Sequence, residues 1–180
     1  IMENRSIIIK DDFLDKKSFA TLKSTIFSFM FDTGNKSRDN YFPWFLQDSK
    51  VNKGDNHIQL THVFYFNLGV NSAYFRIVEP FLKKLQVQAL YRIKANVTMK
   101  SAEDIFPYGY HTDKDILKDR PCGKTGIFYL HTTNGPTVFK EGQKVDCVEN
   151  RMVIFPTDME HSGCTHTDNL LRGVINFNWF

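Results

Sequence analysis

The second half of this chain is a succession of short extended runs, and that succession constrains the fold more than any other feature. Tyr91 to Met99, Gly109 to Asp113, Thr125 to His131, Thr137 to Phe139, Lys144 to Val148, Met152 to Phe155 and Leu170 to Trp179 each read as a strand. Turn signals separate several of them, notably Asn134-Gly135-Pro136 and Glu141-Gly142. Strands this short and this closely spaced imply an antiparallel sandwich or barrel of jelly-roll type. The expected class is mainly β with flanking helices, α+β. Seventeen Phe, seven Tyr and two Trp suit that reading, because aromatic side chains pack well on pleated surfaces.

The first half supplies the flanking elements. After a short strand at Ser6 to Ile9, Asp15 is placed to cap a helix whose Phe19, Leu22, Ile26 and Phe29 recur at helical spacing. Thr33 to Gly54 reads as a loop held down by Tyr41, Phe42, Trp44 and Phe45, in a position to cover a cleft. His57 to Phe66 reads as a strand. Asn71 or Ser72 then begins a second helix with Phe75, Val78, Leu82 and Leu85 on one side, which Pro80 should kink or restart. With no internal repeat or linker, residues 1–180 are expected to form one domain.

Charge and cysteine content narrow the function classes. A net charge of +3 is too weak to serve as an electrostatic footprint for nucleic acid, although it leaves room for a local basic patch. Cys122, Cys147 and Cys164 are odd in number and form no Cys-x-x-Cys pair, which argues against a disulfide framework or a cysteine zinc site. No apolar stretch has the length of a signal peptide or a membrane span, so a cytoplasmic protein without a membrane partner is expected.

The residues that carry chemistry begin with Tyr110-His111-Thr112-Asp113. On a strand, residues two apart project from the same face, so the imidazole of His111 and the carboxylate of Asp113 can converge on one ion. His161, 48 positions after Asp113, can supply a third ligand from a neighbouring strand. Two His and one carboxylate on one face of an octahedron leave open positions, as non-haem Fe(II) enzymes require. Eleven residues further on, Arg172 sits among apolar strand residues, with Asn176 and Asn178 on the same face. A guanidinium in such a strand calls for a buried anion, and a bidentate carboxylate fits best.

The ordered pattern of His-x-Asp, a long spacer, His, a short spacer and Arg resembles the 2-oxoglutarate and Fe(II)-dependent oxygenases, in the branch that includes prolyl hydroxylases. Gly126-Ile127-Phe128-Tyr129-Leu130 is similar to that branch's strand after the His-x-Asp turn. The resemblance covers about Arg92 to Phe180. It is especially close to short oxygenases encoded by bacteriophages of aquatic bacteria, through Arg92-Ile93-Lys94-Ala95-Asn96 and Val174-Ile175-Asn176-Phe177-Asn178. For a phage-encoded member the compartment would be the host cytoplasm.

The resemblance implies a double-stranded β-helix that binds Fe(II) through His111, Asp113 and His161 and takes 2-oxoglutarate and O2 as co-substrates. Arg172 and Tyr129 would hold the 5-carboxylate of 2-oxoglutarate, while Asn96 and Asn176 would line its pocket. Hydroxylation of a substrate would be coupled to oxidative decarboxylation of 2-oxoglutarate to succinate. Phe106, Tyr108 and Tyr110, immediately before the metal motif, are candidates for the substrate rim. Arg92 and Lys94 share the face of Asn96 and read equally well as solvated charges. His131 stands two residues beyond Tyr129, where close relatives more often have Asn, and reads as a structural residue. His62 reads as a satisfied, half-buried residue, His57 and His166 as loop residues.

Other readings use the same residues. The substrate can be a peptidyl proline or a small metabolite, or it can be a nucleobase or nucleotide stacked on Tyr108 or Phe106. Nucleobase demethylases tend to carry a second arginine beyond the position of Arg172, and only Gly173 to Phe180 remain here. A non-catalytic jelly-roll module with a structural metal, or a zinc hydrolase, would leave Arg172 and Tyr129 without a role.

Overall fold

Alternation along each strand organises this protein into two faces and two cores. The computed structural model describes residues 6–28, 41–48, 57–101, 104–113 and 123–180. In chain order the strands are β1 (Ile8–Lys10), β2 (Phe45–Gln47), β3 (Gln59–Phe66), β4 (Gly69–Val70), β5 (Leu90–Met99), β6 (Lys124–Tyr129), β7 (Thr133–Phe139), β8 (Lys144–Cys147), β9 (Met152–Pro156), β10 (His161–Gly163) and β11 (Leu171–Trp179). The helices are α1 (Lys16–Ile26) and α2 (Glu79–Lys84). One sheet has the order β1-β9-β6-β11-β5-β3-β2, with β4 paired to β3, and a three-stranded sheet has the order β10-β7-β8. Pairings among the described strands are antiparallel, and the two sheets form the jelly roll expected from the sequence.

The outer face of the large sheet is apolar because the helices cover it. Ile93, Ala95 and Val97 of β5, Phe128 of β6 and Ile175 and Phe177 of β11 pack with Leu22 and Ile26 of α1 and Phe81 of α2. The Phe81 ring lies edge-on to Phe128 at 4.8 Å and 4.9 Å from Phe177, which ties α2 to the two central strands. The inner face forms a smaller core in which Ile127, Tyr129, Val153, Phe155 and Val174 meet Phe139, Val145 and Cys147 of the small sheet. Three strands cannot cover the whole inner face of a much wider sheet. The uncovered part becomes a cavity of about 510 Å³, walled by β5, β10, β11 and the segment from Tyr108 to Asp113.

Several expected elements differ in the structure. The Asp15 cap is present, its carboxylate accepting from Ser18 N at 2.9 Å. The second helix, expected from Asn71 or Ser72, is instead a 3-10 turn at Phe75–Ile77 followed by α2, with Pro80 in its first turn, where a missing N–H costs nothing. Asn134-Gly135-Pro136 is not a turn but an irregular stretch of β7. Glycine is required there by contact: a Cβ on Gly135 would lie 2.5 Å from the Thr165 carbonyl oxygen. In the loop expected at 33–54, Phe42 is buried and Trp44 donates to the Ile26 carbonyl at 3.1 Å, whereas Phe45 is exposed at the sheet edge on β2. Phe29, Cys122, and residues 33–40 and 49–54 of that loop lie outside the described residues. Among the described residues, no helix is long and apolar enough to cross a membrane.

Candidate metal centre

The segment carrying His111 and Asp113 was expected as a strand from Gly109 to Asp113. It is irregular instead, because Gly109 adopts φ 143, a value that a side chain would strain, and it pairs with the small sheet through an isolated bridge and a Gly109 N bond to the Ser162 hydroxyl at 3.1 Å. The bridge joins His111 to His161. His111 N donates to the His161 carbonyl at 3.0 Å and His161 N to the His111 carbonyl at 2.9 Å, so two predicted ligands face each other, with their rings 4.5 Å apart. Asp113 is drawn to the same place by its N–H bond to Thr157 O at 3.0 Å. The ligand atoms of His111, Asp113 and His161 all lie within 4.8 Å of one another.

The surrounding hydrogen bonds leave this donor set ready for a cation. His161 Nδ1 lies 3.0 Å from the Met159 carbonyl, which can only accept, so the proton is on Nδ1 and the Nε2 lone pair is free. His111 Nδ1 has a longer approach, 3.4 Å, to Gly109 O. Burial holds the pKa of His161 below its ordinary value, keeping it neutral as a ligand must be. Asp113 is buried, which raises a carboxyl pKa. Arg92, His161 and Asn178 outweigh that penalty and hold it below the ordinary value.

Sequence reading missed the partners of Asp113. Thr125 Oγ1 and Asn178 Nδ2 each donate to its Oδ2 at 2.9 Å, and an Arg92 Nη2 lies 3.6 Å from Oδ1. Arg92 Nε also donates to Asn178 Oδ1 at 2.8 Å, closing a network in which each side chain fixes the next. Of the two readings open for Arg92, the solvated charge is excluded: the Asp113 carboxylate draws it inward. The signal available in the sequence was that Arg92 and Asn178 both sit on inward-facing strand positions.

Arg172 stands at the other end of the cavity. It is buried, its Nε donates to Gly135 O at 3.0 Å and an Nη2 lies 3.5 Å from Thr137 Oγ1. No acidic side chain among the described residues pairs with it. Tyr129 lies behind it, with its ring 5.7 Å from the guanidinium carbon. The Tyr129 hydroxyl does not open into the cavity as expected, because it is fully buried and donates to Thr137 Oγ1 at 2.7 Å. Burial pushes its pKa up to about 12.

No protein-family model matches the sequence, and no curated protein matches it. Solved structures do match. An oxidoreductase of the 2OG-Fe(II) oxygenase family from Burkholderia pseudomallei aligns at a TM-score of 0.66 and 13% identity, over 96% of this chain and 84% of that one. A prolyl hydroxylase from Trichoplax adhaerens, in complex with a hypoxia-inducible-factor peptide fragment, aligns at 0.61 and 10%, over 98% and 84%. The viral collagen prolyl hydroxylase of Paramecium Bursaria Chlorella virus-1, in a 2OG complex, aligns at 0.58 and 11%, over 96% and 93%. This chain has the 2-oxoglutarate/Fe(II) oxygenase fold. None of these three is a bacteriophage protein, so the phage resemblance rests on sequence alone.

Within the oxygenase fold the remaining candidates separate clearly. Asn96 and Asn176 line the cavity, and the Asn96 amide oxygen is buried without a hydrogen-bond partner. Tyr108 and Tyr110 also line it, and Tyr110 is exposed at its edge. Phe106 does not line it, because Thr165 holds its backbone from both sides and its ring turns toward His57. His131 lies on the helix side, accepting from Gly173 N at Nδ1 (3.1 Å) against the Phe27 ring. His62 is satisfied by the Pro43 carbonyl and the Ser72 hydroxyl, both at 2.7 Å. His166 lies in a loop, as expected, and is fully buried there.

Proposed function

We propose that this protein is an Fe(II)- and 2-oxoglutarate-dependent oxygenase that hydroxylates a peptidyl or small-molecule substrate. The observation that carries the reading is the placement of two unfilled needs in one cavity. His111, Asp113 and His161 present converging donors at one end, and Arg172 presents at the other a buried cation that no acidic side chain among the described residues pairs with.

His111, Asp113 and His161 would hold the iron, which when bound supplies oxygen activation at positions the protein leaves open. Arg172 would bind the distal carboxylate of 2-oxoglutarate, whose charge offsets the cost of burying a guanidinium. Tyr129 acts through its neighbours. Its ring and its hydrogen bond to Thr137 hold the Arg172 side chain in one orientation. Thr125 and Asn178 hold Oδ2 of Asp113 and Arg92 lies beside Oδ1, so the carboxylate is fixed in one orientation. Asn96 and Asn176 offer amides between the two ends, and Tyr110 lies where substrate would enter. A peptide substrate has support in the Trichoplax adhaerens relative, whose structure includes a peptide.

Anaerobic addition of Fe(II) and 2-oxoglutarate is expected to produce a visible metal-to-ligand charge-transfer band, and admission of air is expected to yield succinate. Folded, iron-exposed protein that gives neither signal would overturn the proposal.

A further inference from the structure

The cavity face of β5 presents Arg92, Lys94 and Asn96 in succession, with only one core-facing residue between each pair. Arg92 is matched by Asp113 and Asn178. Arg172 is matched, in the oxygenase reading, by the co-substrate. Lys94 is left over. Its ammonium donates to Gln47 Oε1 at 3.0 Å, a neutral amide on β2, and no acidic side chain among the described residues pairs with it.

A cation in this position is held against two costs. Burial and the neighbouring Arg92 both favour its neutral form and lower its pKa to about 8. An anion beside it would reverse both. The metal and 2-oxoglutarate do not supply one, since the divalent ion adds positive charge and the co-substrate's two carboxylates are engaged by the metal and by Arg172. The side chains around Lys94 suit an incoming anion. Asn96 lines the cavity two residues further along the same strand face, and its buried amide oxygen has no hydrogen-bond partner to fix the carboxamide's orientation. Gln59, cross-strand from Gln47, lines the same wall.

We propose that Lys94, with Asn96 and Gln59 beside it, forms a substrate subsite for a carboxylate or phosphate group, and that the substrate is a small anionic molecule. This inference rests on the oxygenase reading for what it calls substrate, but not for the anion site itself. It favours an acidic metabolite over an uncharged prolyl stretch, because a neutral peptide would leave Lys94 unmatched in a closed complex.

The test uses the full chain with its lysines 13C-dimethylated, a modification that keeps the charge, followed by NMR with and without Mn(II) and 2-oxoglutarate. The Lys94 signal is assigned by its absence from Lys94→Arg. Acetate, methyl phosphate and neutral N-acetylprolinamide serve as probes, and the two anion arms distinguish carboxylate from phosphate. A saturable shift of the Lys94 signal with at least one anion, absent with N-acetylprolinamide and absent at other lysines, is expected. Anion affinity, read by calorimetric competition on unmodified protein, should fall about tenfold in Lys94→Met and recover in Lys94→Arg, with 2-oxoglutarate affinity unchanged in both. No selective shift, or a loss of 2-oxoglutarate affinity in Lys94→Met equal to that in Arg172→Ala, overturns the subsite. Protein that binds Mn(II) and 2-oxoglutarate but shows no anion at Lys94 retains the oxygenase reading and loses only this inference; the reverse result loses only the former.

Discussion

The two faces of β5 and β11 use one backbone for opposite purposes. On the helix side, Ile93, Ala95, Val97, Ile175 and Phe177 are buried and apolar. On the cavity side the same strands carry Arg92, Lys94, Asn96, Arg172, Asn176 and Asn178, each placed by the register that pairs Val174 with Asn96 and Asn178 with Arg92. The difference teaches where stability and chemistry reside. Packing on the outer face holds the register, and the register in turn holds polar groups that would not gather by themselves. Changes on the cavity face should therefore alter binding in a folded protein, while changes on the helix face should remove fold and site together.

The strongest separation is expected from Asp113→Ala. It should abolish Fe(II) binding, measured by loss of the anaerobic charge-transfer band, while circular dichroism remains that of the folded protein. Phe177→Ala should act in the opposite way, lowering stability by about 3–5 kcal/mol in urea unfolding, since it empties a fully buried position between α2 and the sheet. If Phe177→Ala instead altered metal affinity without a stability change, the division between faces would fail.

Arg172→Ala should raise the 2-oxoglutarate requirement roughly a hundredfold and leave iron binding intact, read from separate Fe(II) and 2-oxoglutarate titrations. Equal loss of iron in this variant would contradict the assignment of two ends. Asn178→Ala should weaken metal binding by a smaller factor, about 10- to 100-fold, because Asp113 keeps Thr125 and Arg92 but loses one fixed donor.

The smallest effect is expected at His131, on the helix side. Burial, reinforced by Lys23, lowers its pKa from 6.5 to about 4. The unfolded chain therefore binds a proton that the native state refuses between those values. Its effect on stability is absent above pH 6.5 and grows as pH falls toward 4. His131→Asn, whose amide oxygen can replace Nδ1 as acceptor for Gly173 N, should reduce the loss of stability between pH 7 and pH 4.5 in urea unfolding. An unchanged pH dependence would remove His131 from the acid response.

Strand alternation and turn chemistry made much of the jelly roll legible, because burial on one face imposes a period of two whatever the partner strand is. The Asp15 cap was legible for a similar reason, since its hydrogen bond spans three residues. The second helix, the Asn134-Gly135-Pro136 stretch and the strand expected at Gly109 to Asp113 were not. At Gly135 a contact from elsewhere in the fold, the close approach of Thr165, overrode a local preference, while at Gly109 and Pro80 the backbone of a single residue set the local geometry.

The site divides along the same line. His-x-Asp, a distant His and an Arg within an apolar strand are local statements, and the sequence by itself determined which side chains had the chemistry for a metal and a carboxylate. Only the tertiary structure decided that His111 and His161 exchange backbone hydrogen bonds and that Arg92 and Asn178 grip Asp113. It alone turned the Tyr129 hydroxyl to Thr137 and left Lys94 facing the cavity with no acidic partner among the described residues. Those outcomes depend on strand order and register, which bring together residues up to 86 positions apart, as Arg92 and Asn178 are. No local periodicity encodes a pairing at that separation.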